Sequence, residues 1–371
     1  MSTSRPWALP LSGPYAMGVY LWELAYRKGI FRTEKLPVPV AGVGSITAGG
    51  AGKTPLVLSL LGYFQREGVR VGVLSRGYGG WRSQEKIPFV FQGESPPPPE
   101  EIGDEPALMA AKYPEALYCI SPDRLEGGKA LVSAGVDLIL LDDGFQSLEL
   151  FQDLKIVILP PDIPLAGWGW IKAFLPSGEL RDFPGRLLEA DLLVCTRGEW
   201  EASDSPGPEN WYPFLRHLAL SQKLPESIVP PVLETTVRME GVAEDSDRGG
   251  VPVHALAEKN VVLVSGIARP DRFSRMLAFY GVRPLGHLAL PDHARFSDRD
   301  RTRIGKWIDT LEQSSHKKVD TILVTEKDWV KWGREETADP RIRRVLTRMM
   351  WIDEDRWVGV LQSRLRRAWT P

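Results

Sequence analysis

The sequence predicts an α/β protein of the P-loop NTPase-like class. The expected fold is a mostly parallel sheet flanked by helices, with a second, smaller α/β domain and an N-terminal amphipathic helix. Three observations carry that expectation. The run Ala41-Gly42-Val43-Gly44-Ser45-Ile46-Thr47-Ala48-Gly49-Gly50-Ala51-Gly52-Lys53-Thr54 joins an apolar stretch to a helical one. Short apolar runs recur along the chain with helix-length segments between them, the alternation of a parallel sheet. One of these runs ends in Asp142-Asp143, where a nucleotide-hydrolysing fold places an acidic metal contact.

Residues 38–43 read as a buried strand and residues 55–63 as a helix, so the glycine-rich run sits in the strand–turn–helix context that phosphate binding requires. Glycine lets backbone N–H groups close around phosphate oxygens, and the helix N-terminus adds the positive end of its dipole. Gly49, Gly50, Ala51, Gly52, Lys53 and Thr54 form the expected nucleotide-binding stretch. Lys53 would reach the terminal phosphates and the Thr54 hydroxyl would face Mg²⁺. The strict pattern asks for glycine at position 47, where Thr47 stands.

A length of 371 residues suits two domains and a sizeable core. The chain is 43% hydrophobic and 25% charged, as in an ordinary globular protein. A net charge of −2 gives no footprint for nucleic acid. The two cysteines, Cys119 and Cys195, lie in apolar runs and read as small core residues of a reducing compartment. Thirteen tryptophans suggest contact with something amphipathic.

Residues 15–28 read as a helix rich in aromatic and aliphatic side chains, followed by Arg27, Lys28, Arg32 and Lys35. A bilayer span needs about 20 apolar residues, so this helix is too short to cross. It lacks the basic start and small-residue cleavage site of a signal peptide. Two readings fit it: a helix lying on an anionic membrane surface, or one packed on the core. Residues 69–74 form the next expected strand, running into Ser75-Arg76-Gly77-Tyr78-Gly79-Gly80, with Arg76 placed to face a phosphate. Gly103-Asp104-Glu105-Pro106 opens a helix, and at least one of the two acids there suits a cap. Arg124 follows the strand at 117–120, and the strand around 136–141 delivers Asp142-Asp143-Gly144-Phe145-Gln146.

Further strands are expected at 156–159 and 191–196. Between them Trp168, Trp170, Phe174 and Leu175 lead to Pro176-Ser177-Gly178-Glu179-Leu180-Arg181, a possible lip for a greasy substrate or a packed loop. Residues 199–228 are polar and proline-rich and suit a domain boundary. That gives segments 1–36, 37–230 and 231–371. The last holds strands at 232–239, 261–265 and 321–325, a helix near 271–280, and a basic tail with Arg364, Arg366 and Arg367 read as a solvated helix face. The five histidines have no metal-site spacing.

Read together, these motifs resemble the tetraacyldisaccharide 4′-kinase family, the lipid A kinases of Gram-negative bacteria. The resemblance rests on Gly44 to Pro55, Ser75-Arg76-Gly77-Tyr78-Gly79, Gly103-Asp104-Glu105-Pro106 and Asp123-Arg124. It continues through Asp142-Asp143-Gly144-Phe145-Gln146, Leu175-Pro176-Ser177-Gly178 with Leu180-Arg181, Pro291-Asp292-His293, and Thr325-Glu326-Lys327-Asp328. The order is the family's, and the family also lacks the first loop glycine.

The resemblance implies transfer of phosphate from ATP, with Mg²⁺, to the 4′-hydroxyl of an acylated glucosamine disaccharide 1-phosphate. It implies a peripheral location on the cytoplasmic face of the inner membrane through the N-terminal helix, with no protein partner. It implies Asp104 as the base, oriented by His293. Metal contacts would come from Thr54, Asp142 or Asp143, and Glu105. Arg76, Arg124, Gln146 and Arg181 would contact phosphates or substrate. Because Asp104 and His293 lie on different halves of the chain, assembling the site would require the halves to close.

Two positions depart from the family pattern: Ser147 stands where the family has histidine, and Arg181-Asp182-Phe183 where it has Arg-Glu-Pro. Two rival readings stand beside this one: a kinase of the same fold acting on another lipid or sugar, and a membrane-associated partitioning-type ATPase, which shares the Gly-Gly-x-Gly-Lys-Thr run but carries a lysine just before it, where this chain has Ala48.

Overall fold

The computed structural model describes residues 6–160, 173–201, 207–243, 251–256, 258–332 and 339–365. Trp168, Trp170, the loop at 245–250, Arg366 and Arg367 lie outside the described residues. Helix α1 (Leu9–Arg27) precedes strand β1 (Val40–Ser45), helix α2 (Lys53–Arg66) and strand β2 (Val71–Ser75). Then come β3 (Phe89–Gln92), α3 (Asp104–Lys112), β4 (Leu117–Ile120), α4 (Arg124–Ser133), β5 (Leu138–Asp142), β6 (Leu154–Leu159) and β7 (Leu192–Gly198). The chain continues through α5 (Pro208–Ser221), β8 (Val232–Ala243), β9 (Val261–Ser265), α6 (Pro270–Phe279) and β10 (Gly286–Ala289). It closes with α7 (Asp298–Ser315), β11 (Thr321–Thr325), α8 (Glu326–Trp332), β12 (Ile342–Trp351) and α9 (Glu354–Leu365).

Among the described residues all twelve strands belong to one sheet, in the order β10-β9-β11-β12-β8-β7-β6-β1-β5-β2-β4-β3. Pairing is parallel except at β3–β4 and at β8–β12. The second half of the chain joins the first where β8 pairs in parallel with β7, and β8 carries β12 antiparallel on its other edge. Central strands such as β1, β2, β5 and β9 are buried along their whole length, so they read as continuous apolar runs without alternation. Helices cover both faces. Leu56, Val57, Leu60 and Phe64 of α2 pack on one side, and Ala16, Trp211 and Leu215 contribute to the cluster on the other. Cys119 and Cys195 are free and buried.

Two sequence expectations need correction. The polar stretch at 199–228 contains α5, whose Trp211, Leu215, Leu218 and Ala219 are buried at helical spacing. Two prolines inside 207–214 obscured that periodicity, yet Pro208 sits in the first turn, where the missing N–H costs nothing. The basic tail is likewise amphipathic. Trp357, Leu361 and Leu365 of α9 are buried against the main core, and Trp357 stacks on Trp351 at 4.6 Å. Arg364 occupies the outer face and pairs with Asp191 at 3.3 Å.

Candidate active site

The parallel strands of the first half direct their C-terminal ends to one edge of the sheet, where ligands bind in this class of fold. β1 runs into the glycine loop, and Gly52 caps α2 with a φ of 91°, a left-handed conformation that a side chain would strain. Lys53 is the first residue of α2, and its Nζ lies 3.2 Å from Asp143 Oδ1. Arg181 clamps the same carboxylate with two bonds of 2.7 Å. Burial opposes charge on Asp143, but the Arg181 bonds and Lys53 prevail and hold its carboxyl below the usual range. The backbone of the 173–181 loop closes on the phosphate loop: Ala48 N donates to Glu179 O, and Arg181 N donates to Ile46 O.

Asp142, at the very end of β5, is 2% exposed. One of its oxygens accepts from Ser75 Oγ at 3.0 Å, whereas Oδ1 is buried without a partner. Burial, Glu105 and Asp143 push its carboxyl up to about 7, against the pull of Arg124. A buried carboxylate oxygen left unpaired among like charges is a position that a hard cation would satisfy. No group of three or more acidic, histidine or cysteine side chains forms a ready-made metal site among the described residues. This donor set suits Mg²⁺, which is held by one or two carboxylates plus phosphate oxygens and water.

Asp104 opens α3. Gly103 before it has a φ of 90°, and any side chain there would strike the Tyr78 carbonyl at 2.5 Å. The two glycine turns therefore nest backbone against backbone and set Asp104 at the cleft. Asp104 Oδ2 lies 3.0 Å from His293 Nδ1, and it is flanked by Lys331 Nζ at 3.5 Å and Lys327 Nζ at 3.7 Å. Burial alone would raise the Asp104 carboxyl, but the histidine bond and the two ammonium groups hold it down at about 2. Its bond to Asp104 raises the His293 pKa. His293 itself takes a φ of 59°, held by bonds from its N–H to Gly266 O and Asp292 Oδ1. The pair is in contact in this structure, so the two halves of the chain already meet here.

A groove of about 1050 Å³ opens beside this cluster. One wall is α1, through Tyr15, Trp22 and Tyr26; the floor holds Asp143, Gln146 and Arg181; Arg76 and Tyr78 stand at the rim. The helix is pinned by Ser12, whose Oγ donates to Phe174 O and accepts from Ser177 N. Its outer face leaves Leu11, Met17, Leu21 and Trp22 about half exposed, with values of 58%, 58%, 54% and 48%. No described helix is long and apolar enough to cross a membrane.

The structure thus gathers Lys53, Asp142, Asp143, Arg181 and Gln146 at the loop, and Asp104 with His293 beside them. Glu105 is bound by Lys327 at 3.0 Å. Gln146 reaches Ser45 O and Asp182. Arg124 is placed differently from the expectation of a phosphate contact: it is 1% exposed, and its guanidinium donates to the Asp142 and Ser121 carbonyls. It buttresses the strand end from below. Sequence reasoning assigned no role to Lys327 or Lys331. Their spacing on one face of α8 was the available signal, since residues four apart share a helix face.

A nucleotide-type glycine loop, paired aspartates and an acid–histidine pair on a parallel sheet define a P-loop phosphotransferase. The model of the family described as tetraacyldisaccharide-1-P 4′-kinase matches residues 5–366. This chain belongs to that family. Relatives named tetraacyldisaccharide 4′-kinase include one from Syntrophus aciditrophicus, 33% identical over 85% of this chain and 81% of its own. Another, from Neisseria gonorrhoeae, is 34% identical over 87% of this chain and 82% of its own. The fold is similar to a crystal structure of an "apo" form of LpxK from Aquifex aeolicus in complex with ATP. That match has a TM-score of 0.70 and 26% identity and covers 97% of this chain and 99% of the other.

Proposed function

We propose that the protein transfers the γ-phosphoryl group of ATP to the 4′-hydroxyl of a tetraacylated glucosamine disaccharide 1-phosphate, giving lipid IVA for lipid A synthesis. The observation that carries this reading is the groove that runs from the apolar wall of α1 to Asp143 and Arg181 at the phosphate loop. It joins a surface for acyl chains to the place where phosphate is transferred. Family membership and the ATP-bound neighbour support the same donor and acceptor.

The acceptor oxygen attacks phosphorus, the bond to the bridging oxygen breaks, and ADP leaves. Phosphoryl transfer of this kind is mostly positioning and charge neutralisation. The amides of residues 49–54 and Lys53 hold the phosphates. Arg76 and Arg181 add positive charge at the groove, while Gln146 braces the loop. The hydroxyl proton passes to the Asp104–His293 pair. Asp104, buried and held at about 2, is a weak proton acceptor. His293 is the more exposed partner and its basicity is raised, so the geometry favours a proton resting on the imidazole with Asp104 orienting it.

Mg²⁺ bound here would neutralise phosphate charge. Asp142 is the favoured carboxylate ligand, with Thr54 and Glu105, because Asp143 is engaged by Lys53 and Arg181. The 37–230 half carries the donor loop and the 231–371 half brings His293, Lys327 and Lys331. The exposed face of α1 seats the protein on the cytoplasmic face of the inner membrane.

The direct test is ATP-dependent phosphate transfer to the purified disaccharide lipid in detergent. Folded protein that hydrolyses ATP without phosphorylating this lipid would overturn the reading.

A further inference from the structure

Two charged side chains of α8 are buried beside the site and carry no step of the transfer described above. The Lys331 side chain is 6% exposed and that of Asp328 is 0% exposed, and Lys331 Nζ lies 3.1 Å from Asp328 Oδ1. Burying such a pair costs desolvation that roughly cancels its attraction, so stability gives little reason for it.

The pair lies on a closed ring of contacts around Asp104 and His293. Lys331 Nζ faces Asp104 Oδ2 at 3.5 Å, and that oxygen meets His293 Nδ1 at 3.0 Å. His293 N donates to Gly266 O at 3.1 Å, and Gly266 N donates to Asp328 Oδ2 at 3.0 Å. Asp328 Oδ1 returns to Lys331. The ring ties the start of α3 to three segments of the second half: the loop after β9, the loop after β10, and α8. Its backbone corner is tight. A Cβ at Gly266 would stand 3.1 Å from the Ala294 Cβ and 3.2 Å from Asp328 Oδ1. Thr325 Oγ1 donates to Asp328 Oδ2 at 2.8 Å and fixes the carboxylate from the other side.

We propose that Lys331 and Asp328 are a positioning pair for the Asp104–His293 site; the inference rests on the kinase reading above. Hydrogen bonds alone hold Asp104 loosely. Its Oδ2 bonds His293, while Oδ1 is buried with no partner among the described residues. The ammonium charge behind Oδ2 keeps that oxygen turned to the imidazole. Lys327 supplies part of this charge, but its Nζ is 3.0 Å from Glu105 and is shared with that carboxylate. Lys331 faces only Asp104 and Asp328 among the carboxylates, and its Nζ lies 5.4 Å from the ring centroid of the buried Phe296. It does not line the groove, so it acts through Asp104 and not on substrate. Asp328 does the matching work on the histidine. It anchors Gly266, whose carbonyl holds the His293 N–H and with it the φ of 59° that aims the ring. With Asp104 accepting at Nδ1, Nε2 is the nitrogen left to take the acceptor's proton.

The test is kcat and KM, per folded molecule, of full-length variants with radiolabelled ATP, Mg²⁺ and the disaccharide lipid in detergent. Lys331→Met and Asp328→Asn should each lower kcat by about 10- to 100-fold, the range for residues that orient a reacting group, with KM for ATP within about twofold of wild type. The same substitutions are then made in an Asp104→Asn background. There Lys331→Met should cost no more than about twofold, because the carboxylate it holds has lost its charge. Equal losses in the two backgrounds mean a merely structural role and reject the proposal. So does wild-type kcat in folded Lys331→Met, or a raised KM for ATP with unchanged kcat. If Lys331→Met does not fold, Lys331→Gln carries the same comparison. Failure of wild-type protein to phosphorylate the lipid would instead reject the kinase reading.

Discussion

His293 Nδ1 and Asp104 Oδ2 meet at 3.0 Å across 189 positions of sequence, and Lys327 and Lys331 close the other side of the same oxygen. The contact joins the loop after β10 to the start of α3. It gives the buried carboxylate a partner that is itself half exposed and able to carry a proton out of the cleft.

The pH dependence of turnover follows from that contact. His293 must be neutral to accept a proton, so kcat/KM falls as pH drops through its pKa. Because Asp104 raises that pKa, the acid limb of the wild type should lie above the ordinary histidine value of about 6.5. Asp104→Asn should shift the limb to lower pH and reduce turnover by about 10²–10⁴. An acid limb that survives in His293→Gln would assign it to another group.

Lys53→Ala should reduce turnover by at least about 10², since the charge facing the terminal phosphates is lost. Stability should change little, because Asp143 retains both bonds from Arg181. Turnover and thermal melting measured on the same preparation separate the two effects. Near-wild-type turnover in folded Lys53→Ala would remove the loop from the donor site.

The two neighbouring aspartates should respond differently to metal. Chelation should stop transfer. Asp142→Asn should raise the Mg²⁺ concentration for half-maximal rate by about tenfold or more, because its unpaired buried oxygen is the favoured ligand. Asp143→Asn should mainly lower kcat by releasing Lys53 and Arg181. Titrating Mg²⁺ against both variants decides the assignment, and a reversed pattern exchanges the roles.

Met17→Asp together with Leu21→Asp should weaken binding to vesicles containing anionic lipid, since interfacial binding depends on buried apolar area. Both residues lie on the exposed face of α1 and neither lines the groove. Activity on a short-chain acceptor in detergent should therefore persist. Vesicle flotation of variant and wild type is the measurement, and equal recovery with the vesicles would rule out this face as the membrane contact.

Local chemistry was legible from sequence wherever it is written in consecutive residues. The phosphate loop needs glycine at left-handed positions and lysine at a helix start, and Gly49, Gly52 and Lys53 state this within a few positions. The strand ending in Asp142 was visible because a buried parallel strand is a continuous apolar run. Helix α5 and the buried face of α9 were not, because prolines and basic residues masked apolar positions whose importance depends on what they pack against.

The tertiary structure alone decided which aspartate is left with an unpaired oxygen, that Arg124 lies beneath the site, and that Lys331 reaches Asp104. These facts depend on contacts between segments far apart in the chain. Burial and charge at such contacts are set by the packing of the whole sheet, so residue type and spacing do not carry them.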